Sequence, residues 1–171
     1  MRTPLLAART VRILAVPLLA AGVSPAAAAA AQTGPPGPAG SLTITGQLFG
    51  VAATSASNAW AVGTSGAKTL IARWNGASWT RVLSPSPGSG ASLAGVAATS
   101  ASNAWAVGTA GGKTLIVHWN GTVWKQVPSP SPAGGAALAA VAATSASNAW
   151  AVGSSNTGQT LIERWNGKTW Q

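Results

Sequence analysis

The stretch VAATSASNAWAVG, residues 51–63, decides how this chain folds because it occurs twice more without a change, at 96–108 and 141–153. Successive copies begin 45 residues apart. A second stretch follows each copy and reads TLIARWNGASW at 69–79, TLIVHWNGTVW at 114–124 and TLIERWNGKTW at 160–170. A period of this length indicates a repeat protein, in which each unit buries its apolar surface against its neighbours.

Each repeat divides into four short β segments. In the first copy they are residues 48–54, 59–64, 69–74 and 78–83. We expect Asn75-Gly76 to close a two-residue type I′ hairpin, since both positions of that turn take a positive φ. Ser-Pro-Ser-Pro at 84–87 ends the fourth strand, because proline cannot donate to a sheet. A helical solenoid is disfavoured, because Pro, Gly and Asn-Gly interrupt the chain every few residues.

Alternation along the strands predicts how the repeats stack. Trp60 and Val62 share one face of the second strand, while Ala59 and Ala61 occupy the other. A large indole can therefore lie against a small-residue surface of the next sheet, as in the stacked four-stranded blades of a β-propeller. The fold prediction is all-β, with about three blades at 48–92, 93–137 and 138–171 and an incomplete ring. Six tryptophans are expected to form the structural core: Trp60, Trp105, Trp150, Trp74, Trp119 and Trp165.

The repeats resemble a known type. The pattern S-A-S-N-A-W-A-V-G, then T-L-I-x-R/H-W-N-G-x-x-W, then V-x-S-P-S-P is similar to the Trp-rich, Kelch-like propeller repeats of secreted actinobacterial proteins. The resemblance covers residues 48–171. It implies the propeller fold and a secreted protein, and it implies no particular activity.

The N-terminal segment has the features of an export signal. Arg2, Arg9 and Arg12 precede an apolar run at 13–23, which is followed by a run of alanines. The run is too short to span a bilayer, which takes about 20 apolar residues. We therefore expect residues 1–31 to be a cleaved secretory signal, with no stable membrane span in the mature, extracellular protein. Residues 32–47 are then a Pro/Gly linker, in which SLTIT at 41–45 could add a closing strand.

The composition excludes several classes of function. The sequence has one acidic residue, Glu163, one histidine, His118, and no cysteine. Carboxylate pairs, catalytic triads and multi-ligand metal sites all need more such groups. We expect no enzyme activity, no cofactor and no metal site. The cations beyond the signal lie singly along the chain, so we expect no nucleic-acid partner; they favour anionic envelope polymers or simple solubility.

One repeated constellation could bind a ligand. Every copy places a potential cation immediately before a tryptophan, and a second tryptophan follows the Asn-Gly turn. Such a ring could hydrogen-bond and stack a sugar, whereas indoles at strand spacing more often serve packing. The candidate ligand-binding residues are Arg73, His118, Arg164, Trp79, Trp124 and Trp170.

The sequence leaves three functions open. The first is an exported binding or scaffolding propeller that contacts a cell-wall glycan or an extracellular protein. The others are a fragment of a longer propeller protein without an independent function, and a hydrolase with its site in the propeller mouth. Three repeats are fewer than the four to eight blades of typical rings. We therefore expect either a fragment, which the short third repeat favours, or two copies that associate through open blade faces into six blades.

Overall fold

The structure, a computed structural model, describes residues 44–171. This part of the chain contains β-strands and no helix, and so no helix that could cross a membrane. In the first repeat each predicted segment ends within one residue of the observed strand. The strands are β1 Gln47–Ser55, β2 Asn58–Ser65, β3 Lys68–Trp74, β4 Trp79–Val82, β5 Ser92–Ser100, β6 Asn103–Ala110, β7 Lys113–Trp119, β8 Trp124–Val127, β9 Ala136–Ser145, β10 Asn148–Ser155 and β11 Thr160–Trp165.

The strands form three antiparallel sheets, one for each repeat. Blade 1 has the order β1-β2-β3-β4, blade 2 has β5-β6-β7-β8, and blade 3 has β9-β10-β11. A trace of a fourth strand follows in blade 3, because Trp170 bridges Trp165 and Gln171 exchanges two backbone hydrogen bonds of 2.8 and 3.0 Å with Arg164. The predicted all-β fold, with about three propeller-type blades in an incomplete ring, is confirmed.

The Asn-Gly turns differ from the prediction. No residue other than glycine takes a positive φ between residues 44 and 171, so Asn75 cannot occupy the first position of a type I′ turn. Trp74 pairs with Trp79 across a loop of four residues instead. The side-chain oxygen of Asn75 accepts hydrogen bonds from the backbone N–H groups of Ala77 and Ser78, both at 2.9 Å. This capping of the loop explains why asparagine stands there.

The core lies between blades. We call the side of each sheet that carries Trp60, Val62 and Ile71 in blade 1 its Trp face, and the opposite side, with Ala104 and Ala106 in blade 2, its Ala face. The Trp face of blade 1 packs on the Ala face of blade 2, and the Trp face of blade 2 packs on the Ala face of blade 3. The predicted contact of an indole with the small residues of the next blade is therefore confirmed.

The first strands of neighbouring blades approach each other closely. A Cβ added at Gly50 would lie 3.0 Å from the carbonyl oxygen of Ala94, and one added at Gly95 would lie 3.0 Å from that of Ala139. Both distances are tighter than ordinary van der Waals contact, so glycine permits this approach. Blade 3 has Ala140 at the same position, on a Trp face that no described blade covers.

Apolar side chains are exposed at both ends of the blade stack. On the Trp face of blade 3, Trp150, Val152 and Ile162 are 37%, 43% and 69% exposed. On the Ala face of blade 1, Leu48 and Val51 in the first strand are 51% and 70% exposed. On the same Ala face the residues of β2 and β3 are buried, namely Ala59, Ala61, Leu70 and Ala72. Only the part of this face that β1 forms is therefore open.

Two predictions concern the N-terminal region. The secretory signal at 1–31 lies outside the described residues, as does most of the linker and closing strand at 32–47. Ile44 and Thr45, the described residues of SLTIT, precede β1 and lie in no strand.

Candidate functional site

The first predicted cation lies inside the interface between blades 1 and 2. Arg73 stands opposite Trp60 on the neighbouring strand. Its guanidinium carbon lies 5.1 Å from the ring centroid of Trp60 and 5.6 Å from that of Trp119 in blade 2. Nη2 of Arg73 donates a 3.2 Å hydrogen bond to the Oδ1 atom of Asn58. These contacts are cation–π and polar contacts within the fold, so Arg73 joins two blades.

His118 and Arg164 occupy the same position in blades 2 and 3. His118 stacks on Trp105 with 4.0 Å between the ring centroids, and its Nε2 lies 2.7 Å from Oδ1 of Asn103. That oxygen is an acceptor, so Nε2 carries the proton. The guanidinium carbon of Arg164 lies 5.5 Å from the ring centroid of Trp150, on the exposed Trp face of blade 3. Of the three predicted cations, Arg164 is exposed, whereas Arg73 and His118 are half-buried.

The asparagine of the first two SASNAW stretches has a role that the sequence analysis missed. Asn58 is buried, and its Nδ2 donates a 2.7 Å hydrogen bond to the hydroxyl of Thr54. Its Oδ1 accepts from Arg73, so one amide ties the first hairpin to the third strand. The fixed spacing from asparagine to cation, 15 residues in the first two copies, was the available signal.

The tryptophans predicted to stack a ligand are largely internal. Trp124 and Trp170 are only 2% and 4% exposed, because their rings pack edge-on against Trp60 and Trp105 of the preceding blade. The structure therefore corrects their assignment and places both in the core. Trp79 is half-buried beside Trp74, with 5.8 Å between the ring centroids.

The tryptophans predicted as core differ among themselves. Trp60, Trp105 and Trp119 are buried. Trp74 and Trp165 are half-buried, and their indole nitrogens donate hydrogen bonds to the carbonyl oxygens of Ala56 and Ala146. Trp150 is 37% exposed, because no described blade packs on its face. For Trp150 the structure corrects the prediction of a core position.

The Ser-Pro-Ser-Pro segments end the outer strand of blades 1 and 2 and also form hydrogen bonds with the neighbouring third strand. The Thr69 hydroxyl lies 2.7 Å from the hydroxyls of both Ser84 and Ser86 and donates to the carbonyl oxygen of Pro85 at 2.8 Å. Thr114 makes the corresponding contacts with Ser129 and with the carbonyl of Pro130, at 3.0 and 2.7 Å. We call this edge of blades 1 and 2, which residues 84–87 and 129–132 form with Thr69 and Thr114, the proline end.

Each Ser-Pro-Ser-Pro segment borders a cleft. The cleft of blade 1 has a volume of about 360 Å³ and is lined by Lys68, Arg81, Ser84 and Ser86 among others. The cleft of blade 2 has a volume of about 410 Å³ and is lined at the same positions by Lys113, Gln126, Ser129 and Ser131. The proline end therefore presents two similar recesses, each with an exposed lysine and several hydroxyls.

The charge of the surface has one sign. Glu163 is the only acidic residue of the sequence and is 1% exposed. No carboxylate side chain therefore reaches the surface, while Lys68, Arg81 and Lys113 are exposed at the proline end. An anionic partner would meet no repulsion there from side-chain carboxylates.

The two ionisable groups of unusual environment both lie between blades 2 and 3. Glu163 stands where blades 1 and 2 have Ala72 and Val117, and neither of its carboxylate oxygens has a hydrogen-bond partner within the described part of the chain. Burial raises the pKa of Glu163 from its usual 4.5 to about 7. Burial lowers the pKa of His118 from its usual 6.5. No three His, Cys, Asp or Glu side chains come together within residues 44–171.

Comparison with known proteins shows the fold. The sequence matches no protein-family model and no curated protein. The chain is similar in structure to YCF48, solved as "YCF48 bound to D1 peptide", with a TM-score of 0.57 and 20% sequence identity. The match covers 76% of this chain and 41% of YCF48, so the chain spans about two fifths of that protein's length. The similarity places this chain among β-propeller repeat proteins by fold.

Proposed function

We propose that this protein is an exported, non-catalytic β-propeller binding module that holds an acidic segment of an extracellular protein at its proline end. The single observation that carries the proposal is the pair of equivalent cationic clefts in blades 1 and 2. In detail, the protein would be of the Trp-rich, Kelch-like kind that its repeats resemble.

The clefts suit an extended ligand. Lys68 and Lys113 stand at equivalent places in adjacent blades, so one chain crossing both blades would meet a cation in each cleft. Proline restricts the backbone of the segments that line the clefts, and the hydrogen bonds to Thr69 and Thr114 hold them in place. Little ordering would be needed on binding, which favours affinity.

The charge supports an acidic partner over a neutral one. Glutamate and aspartate side chains would pair with Lys68, Arg81 and Lys113, and the serine hydroxyls could bond a backbone or a carboxylate. YCF48, which the chain resembles in fold, was solved with a peptide bound. That precedent supports a polypeptide before a glycan.

The burial and the contacts of Glu163 and His118, the two side chains best suited to acid–base chemistry, support a non-catalytic role. Glu163 is buried between blades, and His118 is stacked on Trp105 and bonded to Asn103. Export rests on the signal-like segment 1–31, and N-terminal sequencing of secreted protein should give a start between residues 27 and 34.

Binding of a labelled oligoglutamate peptide tests the proposal. We expect measurable binding that weakens with salt and falls roughly tenfold or more in the double variant Lys68→Ala/Lys113→Ala. The matched control is Lys125→Ala/Lys168→Ala, which removes the same charge from exposed positions outside both clefts. Equal losses in the two variants would show attraction by net charge alone and would refute the site.

A second titration separates the two classes of partner. Polygalacturonate offers carboxylates on a sugar backbone instead of a polypeptide. Binding of this polymer at the clefts, without binding of oligoglutamate, would replace the protein partner with an anionic glycan.

A further inference from the structure

The two clefts of the proline end border a single stretch of chain, residues 84–88. Ser84 and Ser86 line the cleft of blade 1, whereas Pro87 and Gly88 line the cleft of blade 2. Consecutive Cα atoms lie about 3.8 Å apart, so the two recesses meet where Ser86 is followed by Pro87. An extended ligand can therefore pass directly from one cleft into the other.

The two clefts differ in charge. Arg81 lines the cleft of blade 1 together with Lys68, and both side chains are exposed. Gln126 holds the position of Arg81 in blade 2, since both residues pair with the same position of the third strand. Among the residues that line it, the cleft of blade 2 has one cation, Lys113. The blade 1 end of the proline end is thus the more strongly cationic.

The two clefts also differ in apolar surface. Leu83 lines the cleft of blade 1 and is 91% exposed. Pro128 takes the same position in the cleft of blade 2. An exposed leucine beside two cations gives an apolar side chain of the ligand a surface against which to lose its contact with water. The cleft of blade 1 therefore suits acidic residues that have an apolar neighbour.

Arginine and lysine bind carboxylates in different ways. The guanidinium of Arg81 presents parallel N–H donors that match the two oxygens of one carboxylate, whereas the ammonium of Lys68 acts as a point charge. Two carboxylates can therefore bind side by side in the cleft of blade 1, one at each cation. In blade 2 the side-chain amide of Gln126 carries no charge, which leaves Lys113 to pair with a single carboxylate.

We propose that Arg81 sets the direction of the ligand, so that a segment with two neighbouring acidic residues and an apolar one places these in the cleft of blade 1 and a single acidic residue in the cleft of blade 2. This inference rests on the proposed function, because it takes an acidic polypeptide as the ligand of the clefts. It adds the feature of the polypeptide that each cleft selects. Arg81 is then a specificity-determining residue, since without it each cleft would offer one cation.

Binding of a designed peptide to the secreted chain measures the contribution of Arg81. The probe is Glu-Glu-Leu-Gly-Ser-Glu, whose second and last glutamates lie about 13 Å apart when extended, against roughly 10 Å between stacked sheets. We expect its dissociation constant to rise roughly tenfold in Arg81→Gln, which gives blade 1 the side chain of blade 2. Lys125→Gln is the matched control, because it removes one charge from an exposed position outside both clefts. An equal rise in the two variants would overturn the role of Arg81.

Photo-crosslinking tests the direction of the ligand. A second probe, Glu-Glu-Gly-Gly-Ser-Glu, lacks the leucine, so that charge alone decides its direction, and it carries a benzophenone at the end with the paired glutamates. In the wild type we expect crosslinks around Leu83. The double variant Arg81→Gln/Gln126→Arg keeps the net charge and moves the second cation to blade 2, so the crosslinks should move toward Pro128. Equal crosslinking of both clefts in the wild type, or an unchanged position in the double variant, would overturn the proposal.

The oligoglutamate titration separates failure of this inference from failure of the proposed function. Binding of oligoglutamate that is lost in Lys68→Ala/Lys113→Ala supports the clefts as the site. If Arg81→Gln then behaves like Lys125→Gln, the clefts bind an acidic chain in either direction, and the direction alone is overturned. If oligoglutamate does not bind at the clefts, the proposed function and this inference fail together.

Discussion

The interfaces on either side of blade 2 use the same residues at most positions and differ in their ionisable groups. Between blades 1 and 2, Trp60 packs on Ala104, Ala106 and Val117, and Arg73 bridges two indoles. Between blades 2 and 3, Trp105 packs on Ala149 and Ala151. Glu163 takes the place of Val117 in that second interface, and His118 takes the place of Arg73.

The comparison separates packing from charge. Both interfaces place a buried tryptophan edge-on to the tryptophan that follows an Asn-Gly turn, at 5.1 and 5.2 Å between ring centroids. Apolar packing is therefore nearly constant. Of these two interfaces, the second buries a carboxyl group that has no hydrogen-bond partner among residues 44–171. The stability of the second interface should therefore depend on pH, whereas that of the first should not.

The largest effect should come from the packing that both interfaces share. Trp105→Ala should lower the free energy of unfolding by about 3 to 5 kcal/mol, as expected for a large-to-small change in a core. Trp150→Ala should cost clearly less in the monomer, because that side chain is 37% exposed. Denaturant unfolding compares the two, and equal costs would contradict the difference in burial.

The next effect concerns Glu163. Because the pKa rises from 4.5 to about 7 on folding, the folded chain holds this proton more tightly than the unfolded chain. The contribution to stability is complete below pH 4.5 and is lost as the pH rises through about 7. Glu163→Val should therefore stabilise the chain at pH 8 by up to about 3 kcal/mol, with much less gain at pH 4.

A reciprocal variant controls for position. Val117→Glu should introduce the same loss of stability with rising pH into the first interface. Denaturant unfolding at several pH values measures both variants, and a Glu163→Val gain that is equal at pH 4 and pH 8 would exclude the carboxyl group as its cause.

A smaller effect is expected at His118. Burial lowers its pKa below 6.5, so its contribution to stability is present above pH 6.5 and is lost as the pH falls through the lowered pKa. His118→Arg, which installs the residue of blades 1 and 3, should remove this acid-side loss and change stability at pH 7 by about 1 kcal/mol or less. NMR titration of the imidazole checks the direction, and a pKa above 6.5 would contradict it.

The smallest effect should follow Lys113→Ala. Lys113 is exposed beside the turn between β6 and β7 and belongs to neither interface cluster. Its removal should change the free energy of unfolding by less than about 0.5 kcal/mol. A larger loss in denaturant would show that the proline end contributes to folding as well as to the proposed binding.

Much of the fold could be predicted, but less of the site. The strands follow from the repeats, in which Trp60 and Ala61 alternate and proline ends the outer strand of the first two copies. The clefts could not be predicted, since they depend on Thr69 and Thr114 reaching serines some 15 residues away in sequence. The sequence identified the cations but not the face of the sheet on which their side chains lie, because only the strand register shows that Arg73 stands opposite Trp60.

The sequence by itself determined the repeat, the strands and the pairing of large with small faces, because alternation and turn residues act over a few neighbours. The tertiary structure decided which copy of each residue is buried. Leu48, Leu93 and Leu138 stand at the same place in the repeat, yet only the latter two are covered. Burial depends on which blade lies alongside, and that is a property of the whole stack rather than of the local sequence.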